Sequence, residues 1–105
     1  MTDLNRLRFL LEHIHSYDNC LEILQECWKL KDGADGWFFG RIHAIIRVLI
    51  DDPDMFYGVT EDVPSPVLDN IANAAIHGIG AIELGDKHEL NLAGEELARA
   101  APFPF

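Results

Sequence analysis

The chain has 105 residues, of which 49% are hydrophobic and 25% charged, so we expect a single globular domain over residues 1–105. No apolar run approaches the ~20 residues that cross a bilayer, and the first residues show no signal-peptide pattern. We therefore expect a cytoplasmic protein without a membrane partner. The formal net charge of −10 argues against direct binding of nucleic acid, because phosphate contacts need Lys and Arg.

Residues 1–31 predict a helical hairpin. Leucines at helical spacing predict a first helix over about 3–15. Asp18 or Asn19 is a good N-cap for a second helix, and the wide apolar face of that helix includes Trp28. A short link between two such helices predicts that they pack antiparallel.

Residues 36–101 predict a helical core. A loop at 31–36 leads into a third helix, which begins after Asp35 and ends near Pro53. This helix carries one broad apolar face and a second apolar strip, so we expect neighbours on both sides and a central position. The broad face consists of Phe38, Phe39, Ile42, Ile45, Ile46, Leu49 and Ile50.

The remainder of this core predicts a helix, a hairpin and a helix. Pro66, after a serine N-cap, is a strong start signal for a fourth helix, which Gly78 is expected to end. Alternating apolar and polar residues over 81–92 predict a two-stranded antiparallel β-hairpin. A last helix over about 93–101 precedes a tail at 102–105. The expected fold is mainly α, a five-helix single domain with one small β-hairpin.

Residues 65–101 resemble the second half of a winged-helix domain, with a recognition helix, a two-stranded wing and a closing helix. The segment Leu90-Asn91-Leu92-Ala93-Gly94-Glu95-Glu96-Leu97 is similar to the pattern that often leaves the wing in such domains. The resemblance implies a winged-helix transcriptional regulator, and a homodimer is compatible with it. The helix in the recognition position carries no Lys or Arg; its outward residues are Asp69, Asn70, Asn73 and His77.

The sequence shows no recognised catalytic or metal-binding motif. His43 and His88 have no Cys or carboxylate partner at a metal-ligand spacing, and His13 and His15 would point to different sides of a helix. Cys20 and Cys27 lie two turns apart in the second helix, about 10.5 Å, which is too far for a disulfide. We interpret both as small core residues. We therefore expect no cofactor, no bound metal and no enzymatic activity.

The acidic residues are unevenly distributed along the chain. Eight acids and no base lie between Arg47 and Lys87. Aromatic residues lie inside this acidic run, and a charged surround with an aromatic centre is typical of a protein-binding site. The predicted partner-binding residues are Asp51, Asp52, Asp54, Phe56, Tyr57, Glu61, Asp62 and Asp69.

This charge pattern favours a non-enzymatic binding protein that blocks a basic, nucleic-acid-handling protein partner. By size, charge and lack of an active-site motif, the chain resembles small acidic inhibitors such as bacteriocin immunity proteins, antitoxins and anti-CRISPR proteins. Its carboxylates would lie where phosphates bind on the partner. Two alternatives stay open: the winged-helix regulator, and a structural adaptor domain whose acidity serves only solubility.

Overall fold

The structure is a computed structural model that describes residues 3–14, 16–57 and 66–102, except for the side chain of Met55. The helices of these ranges are α1 (Asp3–Glu12), α2 (Tyr17–Leu30), α3 (Gly36–Asp51), α4 (Pro53–Phe56), α5 (Pro66–Leu84) and α6 (Lys87–Ala100). Helix α2 contacts α1 and α3, while α5 contacts α1, α3 and α6. Buried hydrophobic residues from all six helices form one cluster, so the helices share a core.

Helices α1 and α2 form the helical hairpin that the sequence predicts. The Oγ atom of Ser16 accepts a hydrogen bond from the backbone N–H of Asn19 at 3.1 Å. This N-cap starts α2 at Tyr17, slightly earlier than expected. The buried residues of both helices recur at three- and four-residue spacing; they include Leu7, Leu10, Leu11, Cys20, Ile23, Leu24 and Cys27.

Helix α3 is the central helix, as its apolar pattern predicts. It contacts α2, α4, α5 and α6. The predicted core residues Ile42, Ile45, Ile46 and Leu49 have no exposed surface, which confirms the helical phase. Burial of each such side chain stabilises the fold by roughly 1.5–3 kcal/mol. The start of the helix needs Gly36, because a Cβ there would lie 1.8 Å from the carbonyl oxygen of Lys31.

The predicted β-hairpin over 81–92 is wrong, because this segment is helical. Helix α5 continues through Gly78, and the chain enters α6 after a two-residue corner. Gly85 has a φ of +69° and ends α5, which is the usual place for a left-handed glycine. Asp86 then caps α6 by accepting a hydrogen bond from the backbone N–H of Glu89 at 3.1 Å. The residues predicted as a hairpin turn thus form a corner between two helices.

Two features explain why this segment is helical. Gly78 does not end α5, because it packs against Phe38: a Cβ on Gly78 would lie 2.0 Å from Cζ of that ring. In α6, Leu90, Ala93 and Leu97 are buried at three- and four-residue intervals. Over only four residues, an alternating pattern is compatible with either a strand or a helix, so it does not distinguish them.

The two-stranded wing that the winged-helix resemblance implies is not formed by residues 81–92. Helices α5 and α6 occupy the segment where the two wing strands were expected. Leu84, an apolar residue of the predicted hairpin that would have faced the core, is 85% exposed at the end of α5. Within residues 66–102, the C-terminal part is therefore a pair of packed helices.

Candidate interaction surfaces

The first candidate surface lies where α3 meets α4, and we call Asp51, Asp52 and Asp54 the acidic corner. Asp51 is exposed, and its carboxylate accepts a hydrogen bond from Nε of Arg47 at 3.1 Å. Asp52 is half-buried and caps α4 by accepting a hydrogen bond from the backbone N–H of Asp54 at 3.1 Å. Asp54 is exposed in the first turn of α4. Three carboxylates within four consecutive residues give this corner a negative potential.

The aromatic residues beside the acidic corner differ in accessibility. Phe56 is only 2% exposed and belongs to the core. Its ring makes edge contacts with Tyr17 and Tyr57, at centroid distances of 6.2 and 4.8 Å. Tyr17 is exposed and Tyr57 is half-buried. The tyrosines are therefore accessible to a partner at this corner, whereas Phe56 attaches the corner to the core.

The other predicted acids belong to different parts of the chain. Asp69 is exposed in the first turn of α5, a separate helix. Glu61 and Asp62 lie outside the described residues. Of the eight predicted partner-binding residues, five are therefore found around the junction of α3 and α4; they are Asp51, Asp52, Asp54, Phe56 and Tyr57.

Most basic side chains are already paired within the molecule. Arg41 donates a hydrogen bond to the carbonyl oxygen of Gly94 at 3.3 Å. Since the chain has 18 acidic residues and 8 basic ones, such pairing leaves an excess of negative charge at the surface. Six of the eight bases form ion pairs with carboxylates of the described residues; they are Arg6, Arg8, Lys29, Lys31, Arg47 and Lys87.

A second surface, which the sequence did not predict, lies between α2 and α3. This α2–α3 groove has a volume of about 520 Å³, and its lining residues are Leu21, Leu24, Gln25, Trp28, Lys29, His43 and Arg47. Trp28 is 59% exposed. The ring centroid of His43 lies 5.4 Å from that of Trp28, and Nζ of Lys31 lies 4.3 Å from the centroid of the indole. The indole is thus held from two sides while much of its apolar surface faces solvent.

The charged groups at the groove are cationic. Its described lining includes Lys29 and Arg47 and no carboxylate. The Nζ atom of Lys29 donates a hydrogen bond at 3.1 Å to Glu26, a buried carboxylate that also accepts one from an arginine of α1. Burial, and then the charges of Arg47 and Lys31, lower the pKa of His43. Neutral His43 therefore predominates at pH 7, between permanent cations.

A third polar cluster joins α5 to α6. The Nε2 atom of His77 lies 2.9 Å from a carboxylate oxygen of Glu89, and its Nδ1 atom lies 3.1 Å from one of Glu96. Both contacts are hydrogen bonds only when both ring nitrogens carry a proton, which defines the imidazolium form. Accordingly, the hydrogen bonds to Glu96 and Glu89 raise the pKa of His77. This cluster favours a charged His77 that links the two helices.

The cysteines do not form a reactive site. Both are free and buried, as the sequence predicts for core residues. Burial raises the pKa of Cys20 and of Cys27 to about 12. Thiols with such pKa values stay protonated at neutral pH, and the thiolate is the nucleophilic form. Among the described residues, no group of three or more His, Cys, Asp and Glu side chains is arranged to hold a metal ion.

The spacing of apolar residues in α2 already indicates the groove, although the sequence-based prediction did not include it. One stripe of α2, formed by Cys20, Ile23 and Cys27, is buried in the core. Leu21 and Trp28 lie beside it with the same seven-residue spacing. An apolar face that is wider than one core stripe indicates a second contact surface. Whether that surface is covered by the chain itself depends on where α3 packs.

The chain matches no protein-family model, no curated protein and no solved structure. Among the helices of the described ranges, none combines the length and the apolar character that a bilayer crossing requires. The two surfaces on α2, α3 and α4 are therefore the basis for a functional proposal.

Proposed function

We propose that this protein is a non-enzymatic binding protein whose acidic corner docks on a basic surface of a protein that handles nucleic acid. The supporting observation is the distribution of charge. The acidic corner presents three carboxylates at helix ends, and within the described residues only Asp51 has an ion-pair partner there. The carboxylate of Asp54 is therefore available to cations of a partner, and that of Asp52 has one oxygen outside the cap of α4.

The proposed mechanism combines electrostatic steering with steric blocking. A net charge of −10 attracts a basic surface over about one Debye length, ~8–10 Å at physiological salt. The carboxylates of the acidic corner then take the positions that phosphate oxygens would occupy on the partner. Tyr17 and Tyr57 supply aromatic contact area beside them, which is typical of binding hot spots. Direct binding of nucleic acid is disfavoured, because the net charge of −10 repels phosphates and six of the eight basic side chains are paired with carboxylates of the described residues.

The test begins with affinity capture of the partner from the native host and continues with binding kinetics. Asp54→Lys reverses one exposed charge of the acidic corner without removing the cap at Asp52. We expect the association rate to fall by about three- to tenfold at low salt, with a smaller change in the dissociation rate. The effect should shrink as salt rises.

The matched control is Asp3→Lys. Asp3 is an exposed acid in the first turn of α1, as Asp54 is in the first turn of α4, so the two variants have the same net charge. We expect the control to change the association rate by less than about twofold. Equal effects of both variants would contradict the acidic corner as the contact site and would leave net charge alone as the cause.

A second measurement separates this function from direct binding of DNA. The intact protein is mixed with random duplex DNA at low salt, where nonspecific binding is strongest. We expect no shift in electrophoretic mobility. A shift that disappears with added salt would overturn the proposal, because it would show that the protein itself contacts phosphates.

A further inference from the structure

The α2–α3 groove exposes apolar surface, most of it from Trp28, which is 59% exposed. Leu21, Leu24 and Trp28 line its floor along two turns of α2, a length of about 10.5 Å. A volume of about 520 Å³ is in the range of sites that accept a ligand side chain or a small molecule. The groove is open along the two helices, so its shape suits a chain segment that lies across it.

The ends of this groove carry cations that are only partly neutralised. Lys29 shares the single carboxylate of Glu26 with an arginine of α1. Arg47 pairs with Asp51, and both side chains are more than half exposed. Exposed ion pairs such as Arg47–Asp51 contribute only ~0–1 kcal/mol, so a carboxylate of a ligand can compete for Arg47. The ammonium group of Lys29 has three donors, so it can bind a ligand carboxylate while it keeps its bond to the buried Glu26.

We propose that the α2–α3 groove binds an acidic segment of a partner protein, with an apolar side chain against Trp28 and carboxylates at Lys29 and Arg47. The argument is charge complementarity. Elsewhere, the excess negative charge of the chain repels an acidic segment, whereas the groove offers two cations beside an apolar floor. This selects the groove over other parts of the surface. The proposal does not depend on the acidic corner.

A short acidic peptide fits this site better than a nucleic acid does. Single-stranded nucleic acid would also stack on an exposed tryptophan and contact cations. However, it carries one negative charge per nucleotide, and the chain around the groove has a net charge of −10. A peptide segment needs only two or three carboxylates at the groove itself, so it avoids most of this repulsion.

The experiment uses the full chain and a fluorescein-labelled synthetic peptide that carries Leu and Phe at helical spacing between glutamates. Binding is followed by fluorescence anisotropy at low salt. The comparison peptide has glutamine in place of every glutamate, so that it is not itself a ligand for the acidic corner. We expect the acidic peptide to bind at least about tenfold more tightly than the glutamine peptide.

Variants then test the site. Trp28→Ala should weaken binding of the acidic peptide by about tenfold, because it removes the aromatic anchor. Arg47→Gln should weaken it by about threefold to tenfold. Lys87→Gln is the matched control, since Lys87 is also an exposed base paired with an aspartate but lies outside the groove lining. We expect its effect to stay below about twofold.

A single-tryptophan form shows where the peptide binds. The chain has two tryptophans, so Trp37→Phe leaves Trp28 as the only indole, and its emission should shift as the acidic peptide saturates. The proposal is overturned by any of three results. These are equal binding of the two peptides, no effect of Trp28→Ala, or Trp28 emission that responds to single-stranded oligonucleotide but not to the acidic peptide.

Discussion

The acidic corner and the α2–α3 groove use aromatic residues in opposite ways. At the acidic corner, the aromatic side chain of Phe56 is buried and the charges are exposed. In the groove, Trp28 is exposed while the carboxylate that serves Lys29 is buried. The first arrangement fixes a charged helix end on the core, and the second leaves an apolar surface for a partner. Aromatic content alone therefore does not identify an accessible surface; the exposed fraction of each ring does.

The two regions are joined by the ion pair between Arg47 and Asp51. Arg47 lines the groove and Asp51 belongs to the acidic corner, one helical turn away on α3. A charge change at either residue therefore shifts the electrostatic potential of both regions in the same direction, which has opposite effects on the binding of an acidic peptide and of a basic partner. The following predictions test this contrast, from the largest expected effect to the smallest.

The largest expected effect is the difference in free energy of unfolding between the variants that truncate Phe56 and Trp28. Phe56→Ala removes a buried ring and should lower the free energy of unfolding by about 3–5 kcal/mol. Trp28→Ala removes a mostly exposed indole and should cost less than about 1 kcal/mol. Urea unfolding followed by circular dichroism measures both. If the two variants lose similar stability, the assignment of one ring to the core and the other to the surface is incorrect.

The next effect concerns the packing of α5 on α3. Helix α3 carries residues of both the acidic corner and the groove. A Cβ at Gly78 would clash with the buried ring of Phe38, so Gly78→Ala should destabilise by about 1–3 kcal/mol. Gly80 has nothing within 4 Å of such a Cβ, so Gly80→Ala should stabilise α5 by about 0.5–1 kcal/mol. Thermal unfolding distinguishes the two. Opposite signs are the expected outcome; stabilisation by Gly78→Ala would show that α5 does not approach α3 this closely.

A charge change at the ion pair between Arg47 and Asp51 should strengthen binding at one region and weaken it at the other. Asp51→Asn releases Arg47, so binding of the acidic peptide to the groove should tighten by about threefold. The same change removes a carboxylate from the acidic corner, so association with a basic partner should slow by about threefold. Anisotropy and stopped-flow kinetics measure these effects. Changes of the same sign in both assays would mean that Arg47 and Asp51 do not couple the regions.

The groove should respond to mild acidification, while the acidic corner should not. The pKa of His43 in the free protein is lowered, and a bound carboxylate would raise it. Binding of the acidic peptide should therefore tighten as the pH falls from the pKa of the complex towards the pKa of the free protein. We expect about threefold tighter binding near pH 5.5 than near pH 7.5. Aspartates and glutamates stay largely ionised over this whole range, so the acidic corner keeps its charge. His43→Gln is the control and should abolish the pH dependence. An unchanged pH profile in that variant would assign the effect to another group.

The smallest expected effect lies outside both regions, at the cluster that joins α5 to α6. The pKa of His77 is raised in the folded state. Its contribution to the free energy of unfolding is therefore fully present below the pKa of about 6.5 that it has in the unfolded chain, and it is lost as the pH rises through the pKa of the folded state. Because the side chain is partly exposed, the contribution should be no more than about 0.5 kcal/mol. The stability difference between the wild type and His77→Gln, measured near pH 6 and pH 8.5, should shrink at the higher pH. A difference that grows with pH would mean that the neutral ring is the bound form.

The sequence by itself determined α1, α2, α3 and the start of α5, together with the apolar face that each of them buries. Helical spacing identified the core of α3, and cap residues located most helix starts to within a few residues. These are local properties, because side chains three and four residues apart share a face in any helix. The charge imbalance was also readable, since it needs no structure.

The tertiary structure decided whether a glycine interrupts a helix and whether an aromatic residue is exposed. Gly78 looked like a helix end, but the ring of Phe38 fills the space that a side chain would take, so α5 runs on and the predicted hairpin does not form. Phe56 was predicted to contact a partner and Trp28 to lie on the apolar face of the second helix, yet Phe56 is 2% exposed and Trp28 is 59% exposed. Each outcome depends on contacts between residues distant in sequence. Such contacts override local preference, because burial against a neighbouring helix outweighs the small energies of single-residue propensity.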